Sequence, residues 1–194
     1  MIDEQKMPLN EVALRILNAA DELMATIGVQ NLSTHKIAKH AGVSVGTIYL
    51  YFKDKETLLT CLVTYLFERF HQHLEQHYDE RLPAFEQYQA LWKATWQFLE
   101  QNPNVVTNLY QYESLPSYSK LLSTYMNSES LACNKFLQGG QKNGVFANLD
   151  QELIFAISLR TVWEIIRLRR VLGKEYSQTV LDEIIQRTWK AITD

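Results

Sequence analysis

The sequence predicts an all-α protein, with an N-terminal three-helix helix-turn-helix domain followed by a larger helical bundle, about nine helices in total. Three observations lead there. No stretch sustains the period-two alternation of a half-buried strand. Apolar residues recur instead at three- and four-residue steps, and the seven glycines and four prolines fall mostly between those stretches.

The first helix is expected from about Asn10 to Ile27, where Val12, Ile16, Ala19, Ala20, Leu23 and Ile27 form one apolar stripe. Gly28 supplies a left-handed stop, and Ser33 caps the next helix by accepting a bond from an orphaned backbone N–H. A short helix then runs from Thr34 to about His40, a second from Ser44 or Val45 to about Tyr51, and a longer one from Asp54 or Lys55 toward Tyr78. Pro83, Pro103 and Pro116 punctuate the remainder. Between them lie helices over Phe85–Glu100 and Asn104–Tyr112. A long helix to about Gln138 follows, broken by Gly139-Gly140 and Gly144, and then two more over Asp150–Leu172 and Ser177–Ile192.

Composition narrows the class. The 194 residues are 46% apolar and 21% charged, ordinary for a globular protein. Cys61 and Cys133 match no zinc or redox spacing and fit a reducing compartment. Met1 to Met7 is polar and acidic, unlike a signal peptide, and no apolar run approaches a membrane span. The expected location is the cytoplasm. The net charge of −3 is unevenly spread: between Gln30 and Lys55 four lysines stand against Asp54 alone, a local balance of +3 that leaves −6 for the rest. Such a concentration suits phosphate, although a basic stretch is more often a solvated face.

The informative segment is Thr34 to Tyr51, THKIAKHAGVSVGTIYLY. Counted from Thr34, a small residue (Ala38) is fifth and a glycine (Gly42) ninth, while Ile37, Ala41, Val43, Ile48 and Tyr51 fill the apolar slots. This is the pattern two short helices need to pack across a three-residue turn, with positive φ at the glycine. A helix so presented fits the major groove. The exposed positions are Ser44, Val45, Gly46, Thr47, Tyr49 and Leu50. Thr47 can bond a base or a phosphate, Val45 can touch a thymine methyl, and Gly46 permits close approach. With no Arg, Asn or Gln for bidentate reading, shape and phosphate contacts are expected to share the specificity.

Gly46-Thr47-Ile48-Tyr49-Leu50-Tyr51-Phe52 followed by Lys53-Asp54-Lys55-Glu56-Thr57-Leu58-Leu59 resembles the signature of TetR-type (TetR/AcrR) bacterial transcription regulators. The resemblance begins with Ile16-Leu17-Asn18-Ala19-Ala20 and Gly28 and continues through Ser33-Thr34 and Ile37-Ala38, covering roughly residues 10 to 60. It implies a DNA-binding domain over 1–54, with the recognition helix near 44–51, and an effector-binding and dimerisation domain over 55–194. It also implies phosphate contacts by Lys55, by Ser33 or Thr34 and by Tyr51, and contact of Tyr49 with the DNA backbone or a thymine methyl. Lys36 joins them as a basic residue of the same segment. Tyr49 and Tyr51 also fit plain core packing, and Leu50 departs from the polar or aromatic residue common at its position.

Two readers about 34 Å apart require a homodimer. The last two helices, with Ile154, Thr161, Ile165, Leu181, Ile184, Ile185 and Thr188, suit a four-helix interface, although such faces can equally be intramolecular core. The aromatic-rich middle offers Trp92, Trp96, Tyr110, Tyr125, Phe155 and Trp163 for a hydrophobic or cationic small-molecule effector, and most of these side chains also fit ordinary packing. Drugs, dyes, bile salts and fatty acyl species all fit. His73 and His77 have metal-compatible spacing but no third ligand, and no catalytic motif appears, so neither a metal, a cofactor nor an enzyme is expected.

The expected function is therefore transcriptional regulation by a homodimeric repressor. It would bind a palindromic double-stranded operator at the nucleoid, be released by a small ligand, and control an efflux operon by analogy. The alternative is an architectural or division-type DNA-binding protein of the same fold without an effector.

Overall fold

The computed structural model of the protein describes residues 9–193, so the reading of Met1 to Met7 lies outside the described residues. Among the described residues there are eleven α-helices, one short 3-10 turn and no strand. They form two compact units. The first contains the chain up to Leu66 with Asn108–Ser119; the second contains Phe67–Thr107 with Lys120 to the C-terminus. The first unit thus takes in chain beyond residue 54, including the buried Leu58, Leu59 and Leu62.

The first unit begins with α1 (Glu11–Ile27), capped where the Asn10 side chain accepts from the Ala13 N–H at 3.0 Å. Its buried stripe is Ala13, Ile16, Leu17, Ala20 and Met24, turned slightly from the expected one, which leaves Val12, Leu23 and Ile27 half-buried. Gly28 ends the helix at φ 78, ψ 151, a positive φ with extended ψ rather than a left-handed turn. After the 3-10 turn Val29–Asn31, α2 (Thr34–Ala41) and α3 (Val45–Tyr51) pack on α1 and on each other. Ile37, Ala38 and Ile48 are buried between them. Helix α4 (Lys55–Glu75) starts in this unit at Asp54, whose carboxylate accepts from the Thr57 N–H at 2.7 Å. That bond, foremost among its surroundings, lowers the Asp54 pKa.

A buried polar network fastens α1 to the second half of α6 (Pro103–Glu113). Asn108, fully buried, donates to both the backbone and the side chain of Asp21 at 2.9 Å, and Tyr112 donates to the same carboxylate. Gln111 donates to Met24 O at 3.0 Å and accepts from the Val29 N–H at 2.6 Å.

In the second unit, α5 (Ala84–Gln101) packs against α8 (Ala132–Lys142), α10 (Arg160–Leu172) and α11 (Gln178–Thr193). Two expected helices are each divided, which turns nine into eleven. The helix expected after Pro116 becomes α7 (Tyr118–Met126) and α8, because the Asn134 amide reaches back to Tyr125 O at 2.8 Å and Ser128 O at 2.7 Å and holds a turn between them. The helix expected over 150–172 becomes α9 (Gln151–Ile157) and α10. Buried Ser158 leaves helical geometry there (φ −116, ψ −92), its hydroxyl taking Ile154 O while Thr161 takes Ser158 O.

Gly139-Gly140 does not break α8, which runs on to Lys142 before the positive φ of Gly144. Gly140 serves packing instead, since a Cβ there would lie 2.0 Å from the Phe146 ring.

Candidate nucleic-acid interface

The α2–turn–α3 segment is rigidly specified. Ser33 caps α2 by accepting from Lys36 N at 3.3 Å, and Ser44 caps α3 by accepting from Thr47 N at 2.9 Å while its hydroxyl also meets that of Thr47 at 2.8 Å. Gly42, left-handed at φ 65 and ψ 38, makes the turn, with Val43 N donating to Ala38 O at 3.0 Å. Ile48 and Phe52 anchor α3 inward.

Outward, Gly46, Tyr49 and Leu50 share a face at i, i+3 and i+4. Tyr49 is 53% exposed and Leu50 80%. Val45 and Thr47 are half-buried, as are Ser33 and Thr34. Tyr51, half-buried, accepts at its hydroxyl from the Asn10 side chain at 2.8 Å, which ties the end of α3 to the start of α1. Lys36 and Lys55 donate to the neighbouring carbonyls Asn31 O (2.9 Å) and Leu32 O (3.1 Å). Lys39 and Lys53, both already in the charge count, are exposed, as is His35. The His40 imidazole instead faces Glu22 at 2.7 Å.

Comparison with known proteins decides what this reader belongs to. Residues 16–60 match the family description "Bacterial regulatory proteins, tetR family", and residues 83–193 match "Tetracyclin repressor-like, C-terminal domain". The chain is 38% identical over 182 residues to an HTH-type transcriptional regulator of Haemophilus influenzae, covering 94% of this chain and 96% of that one. The chain belongs to the TetR family.

A crystal structure of a TetR-family transcriptional regulator from Haemophilus influenzae superimposes with a TM-score of 0.86 at 38% identity, over 94% of this chain and 97% of that one. The chain is also 31% identical over 156 residues to the fatty acid metabolism regulator protein of Bacillus subtilis, covering 77% of this chain and 80% of that one. The fatty acid degradation regulator FadR of Bacillus halodurans superimposes with a TM-score of 0.75 at 25% identity, over 93% and 95% of the two chains. This TetR-family chain is a transcriptional regulator with a helix-turn-helix for DNA.

In the second unit of the TetR-family regulator, ring contacts gather several of the aromatic candidates. Tyr125 stacks on His71 with centroids 5.0 Å apart and lies 4.9 Å from Phe67. Trp163 meets Phe70 edge-on at 5.4 Å, and Phe70 meets Phe98 at 5.2 Å. Trp92, fully buried, stacks on Trp96 at 5.6 Å, with the Arg169 guanidinium 5.8 Å from the Trp96 ring centroid. Phe155 is half-buried on α9. Tyr110 belongs to the first unit and is 56% exposed.

Two buried polar atoms of this unit, His71 Nδ1 and Trp92 Nε1, have no hydrogen-bond partner among the described residues. Burial lowers the His71 pKa to about 4, so the ring is neutral near pH 7. Burial also raises Tyr125, first and before the nearby Glu68 charge, to about 12. A separate cleft of about 170 Å³ is lined by Tyr78, Gln87, Lys135, Phe136 and Asn143 among others, and includes none of the aromatic ligand candidates. Cys133 is buried and its thiol pushed up to about 12, an unreactive setting.

The interface candidates also divide. Ile154, Leu181 and Ile185 are buried in their own unit, which removes them from an intermolecular surface. Thr188 meets the Tyr88 hydroxyl at 2.6 Å, and Thr161 bonds Ser158 O. Ile165 and Ile184 are half-buried. The outward apolar residues of α9, α10 and α11 are instead Leu153, Ile157, Val171, Leu172 and Val180.

Proposed function

We propose that this regulator is a homodimeric repressor that binds a palindromic operator through α2 and α3 and is released by a small hydrophobic ligand held among the aromatics of its second unit. The observation that carries the reading is the exposed outward face of α3, in a segment that holds four lysines, on a chain whose relatives are named as transcriptional regulators. Val45, Gly46, Thr47 and Tyr49 address the groove; Ser33, Thr34, Lys36, Ser44, Tyr51 and Lys55 address phosphates. Ile165 and Ile184 with Leu153, Ile157 and Val180 supply the dimer surface, an amphipathic stripe left apolar toward water. The site of action is the cytoplasmic nucleoid.

For the ligand, the second unit offers Trp92, Trp96, Tyr125, Phe155 and Trp163. The names of the Bacillus relatives favour a fatty acyl species and genes of fatty acid metabolism over an efflux operon. Release requires the ligand to bind the DNA-free conformation better than the DNA-bound one.

Selection of bound fragments from sheared genomic DNA at two salt concentrations tests this. A palindromic site with strong salt dependence is expected, together with a dimer in sedimentation at micromolar concentration and release by stearoyl-CoA but not by free CoA. Recovery of only background DNA by folded protein removes the repressor reading; a monomer removes the dimer; indifference to the acyl chain removes the ligand class.

A further inference from the structure

Several hydrogen-bonding groups around α3 already make one bond within the chain: Ser44 with the Thr47 backbone and hydroxyl, Tyr51 as acceptor from Asn10, Lys36 with Asn31 O and Lys55 with Leu32 O. The two ammonium groups and the Tyr51 O–H keep donors for phosphate, a contact that carries no sequence information. What α3 presents outward is Gly46, Tyr49 and Leu50 on one face, and Leu50 is 80% exposed. A leucine side chain has no polar atom, so it can recognise a base edge only through an apolar group. Among the major-groove edges of the four base pairs, the one apolar group is the C5-methyl of thymine.

Gly46 is an independent observation on the same face. Its φ is not positive, and an added Cβ would meet only Ser44 Oγ at an ordinary 3.6 Å. Neither backbone conformation nor packing within the chain requires glycine there. Glycine inside a helix is nevertheless less stable than alanine. A small residue that the fold does not need, one turn from an exposed leucine and tyrosine, fits a surface that another molecule approaches closely.

We infer that Leu50 is a specificity-determining residue that reads a thymine 5-methyl group, with Gly46 admitting the DNA close enough for the contact. The inference rests on the DNA-binding reading above. It assigns a base contact to the position at which the chain departs from its family's signature. Specificity at that base pair comes from a methyl group rather than from hydrogen bonds, so the site discriminates thymine from uracil.

The test uses the full-length protein and the duplex recovered by fragment selection, with each thymine of one half-site replaced singly by deoxyuridine. Wild-type protein is expected to lose about fourfold in affinity at one position, the size expected for one methyl leaving an apolar contact. Leu50→Ala is expected to bind the thymine duplex more weakly and to lose the thymine–uracil difference at that position alone. Gly46→Ala is expected to raise the melting temperature while weakening operator binding, opposite signs that a purely structural glycine does not give. A selected operator at which every methyl is silent overturns the inference while leaving the DNA-binding reading intact. So does a Leu50→Ala protein that weakens thymine and uracil duplexes equally, which is contact with sugar or phosphate. A folded protein that selects no sequence overturns both.

Discussion

The two units treat buried polar groups differently. In the first, Asn108, Gln111 and Tyr112 close a network with Asp21, Met24 O and the Val29 N–H in which donors and acceptors are matched. In the second, two buried ring nitrogens, His71 Nδ1 and Trp92 Nε1, are left unmatched amid aromatic side chains. A buried polar atom without a partner costs about 1–3 kcal/mol, whereas a satisfied network specifies one arrangement. The first unit is thus built to hold the α2–α3 surface in one geometry. The second retains groups that a bound molecule or water can satisfy, the condition for a site that gains stability when occupied.

The largest expected effect breaks the matched side of this contrast. Asn108→Ala strips the Asp21 carboxylate and the Gln111 amide of a partner and leaves a gap in a fully buried position. A loss of about 3 kcal/mol is expected, read as a lower midpoint in urea unfolding. A loss under about 1 kcal/mol would mean that water replaces Asn108 and that the network does not hold α1 to α6.

Acidification probes the unmatched side. The His71 pKa is lowered in the fold to about 4 against an ordinary 6.5, so between those values the unfolded chain binds more protons than the folded one. Stability is therefore expected to be level with respect to this group above pH 6.5. It should fall as pH drops toward 4, by about 2–3 kcal/mol in total. Urea unfolding of wild type and His71→Phe at pH 7.5 and 5 checks it: the wild type should lose more on acidification than the variant. Equal losses would place the acid sensitivity elsewhere.

Gly140→Ala sharpens the contrast in packing terms. The new methyl would lie 2.0 Å from the Phe146 ring, itself edge-on to Phe136 at 5.1 Å and to Trp189 at 6.0 Å. Ring displacement is expected to destabilise the second unit by about 2 kcal/mol, measured by thermal unfolding, with operator affinity unchanged under conditions where the protein stays folded. A variant as stable as wild type would show this part of the aromatic core to be loosely packed.

Legibility in the sequence followed how local the determining interaction is. Helices α1 to α3 were readable because their caps, turn glycine and apolar spacing sit within a few residues of one another: Ser33, Gly42, Ser44 and Ile48 each act on neighbours. The α7–α8 and α9–α10 breaks were not, since they depend on which way Asn134 and Ser158 point once buried. An apolar stripe also cannot say what covers it, and Ile154, Leu181 and Ile185 proved to be intramolecular core. Tyr110 and Tyr112, two residues apart, show the same limit. One is 56% exposed and the other 4%, a difference set by the helix face that meets Asp21, 91 residues away from Tyr112 in the chain. The reader's chemistry was legible as a motif, but the engagement of Lys36, Lys55 and Tyr51 in bonds within the chain was not.

The smallest expected effect is the most discriminating between the units. Trp92→Phe removes the unmatched Nε1–H and keeps an aromatic ring stacked against Trp96. Loss of ring volume destabilises and relief of the orphaned donor stabilises, by comparable amounts, so the net change is expected to stay within about 1 kcal/mol of wild type. Asn108→Ala, at an equally buried position, has no such offset. If Nε1 instead serves a bound acyl group, Trp92→Phe should leave operator affinity unchanged and weaken release by stearoyl-CoA several-fold, the signature of one hydrogen bond lost from a ligand. A loss well above 1 kcal/mol would mean that the lost ring volume outweighs relief of the orphaned donor, and that leaving Nε1 unmatched costs the second unit little.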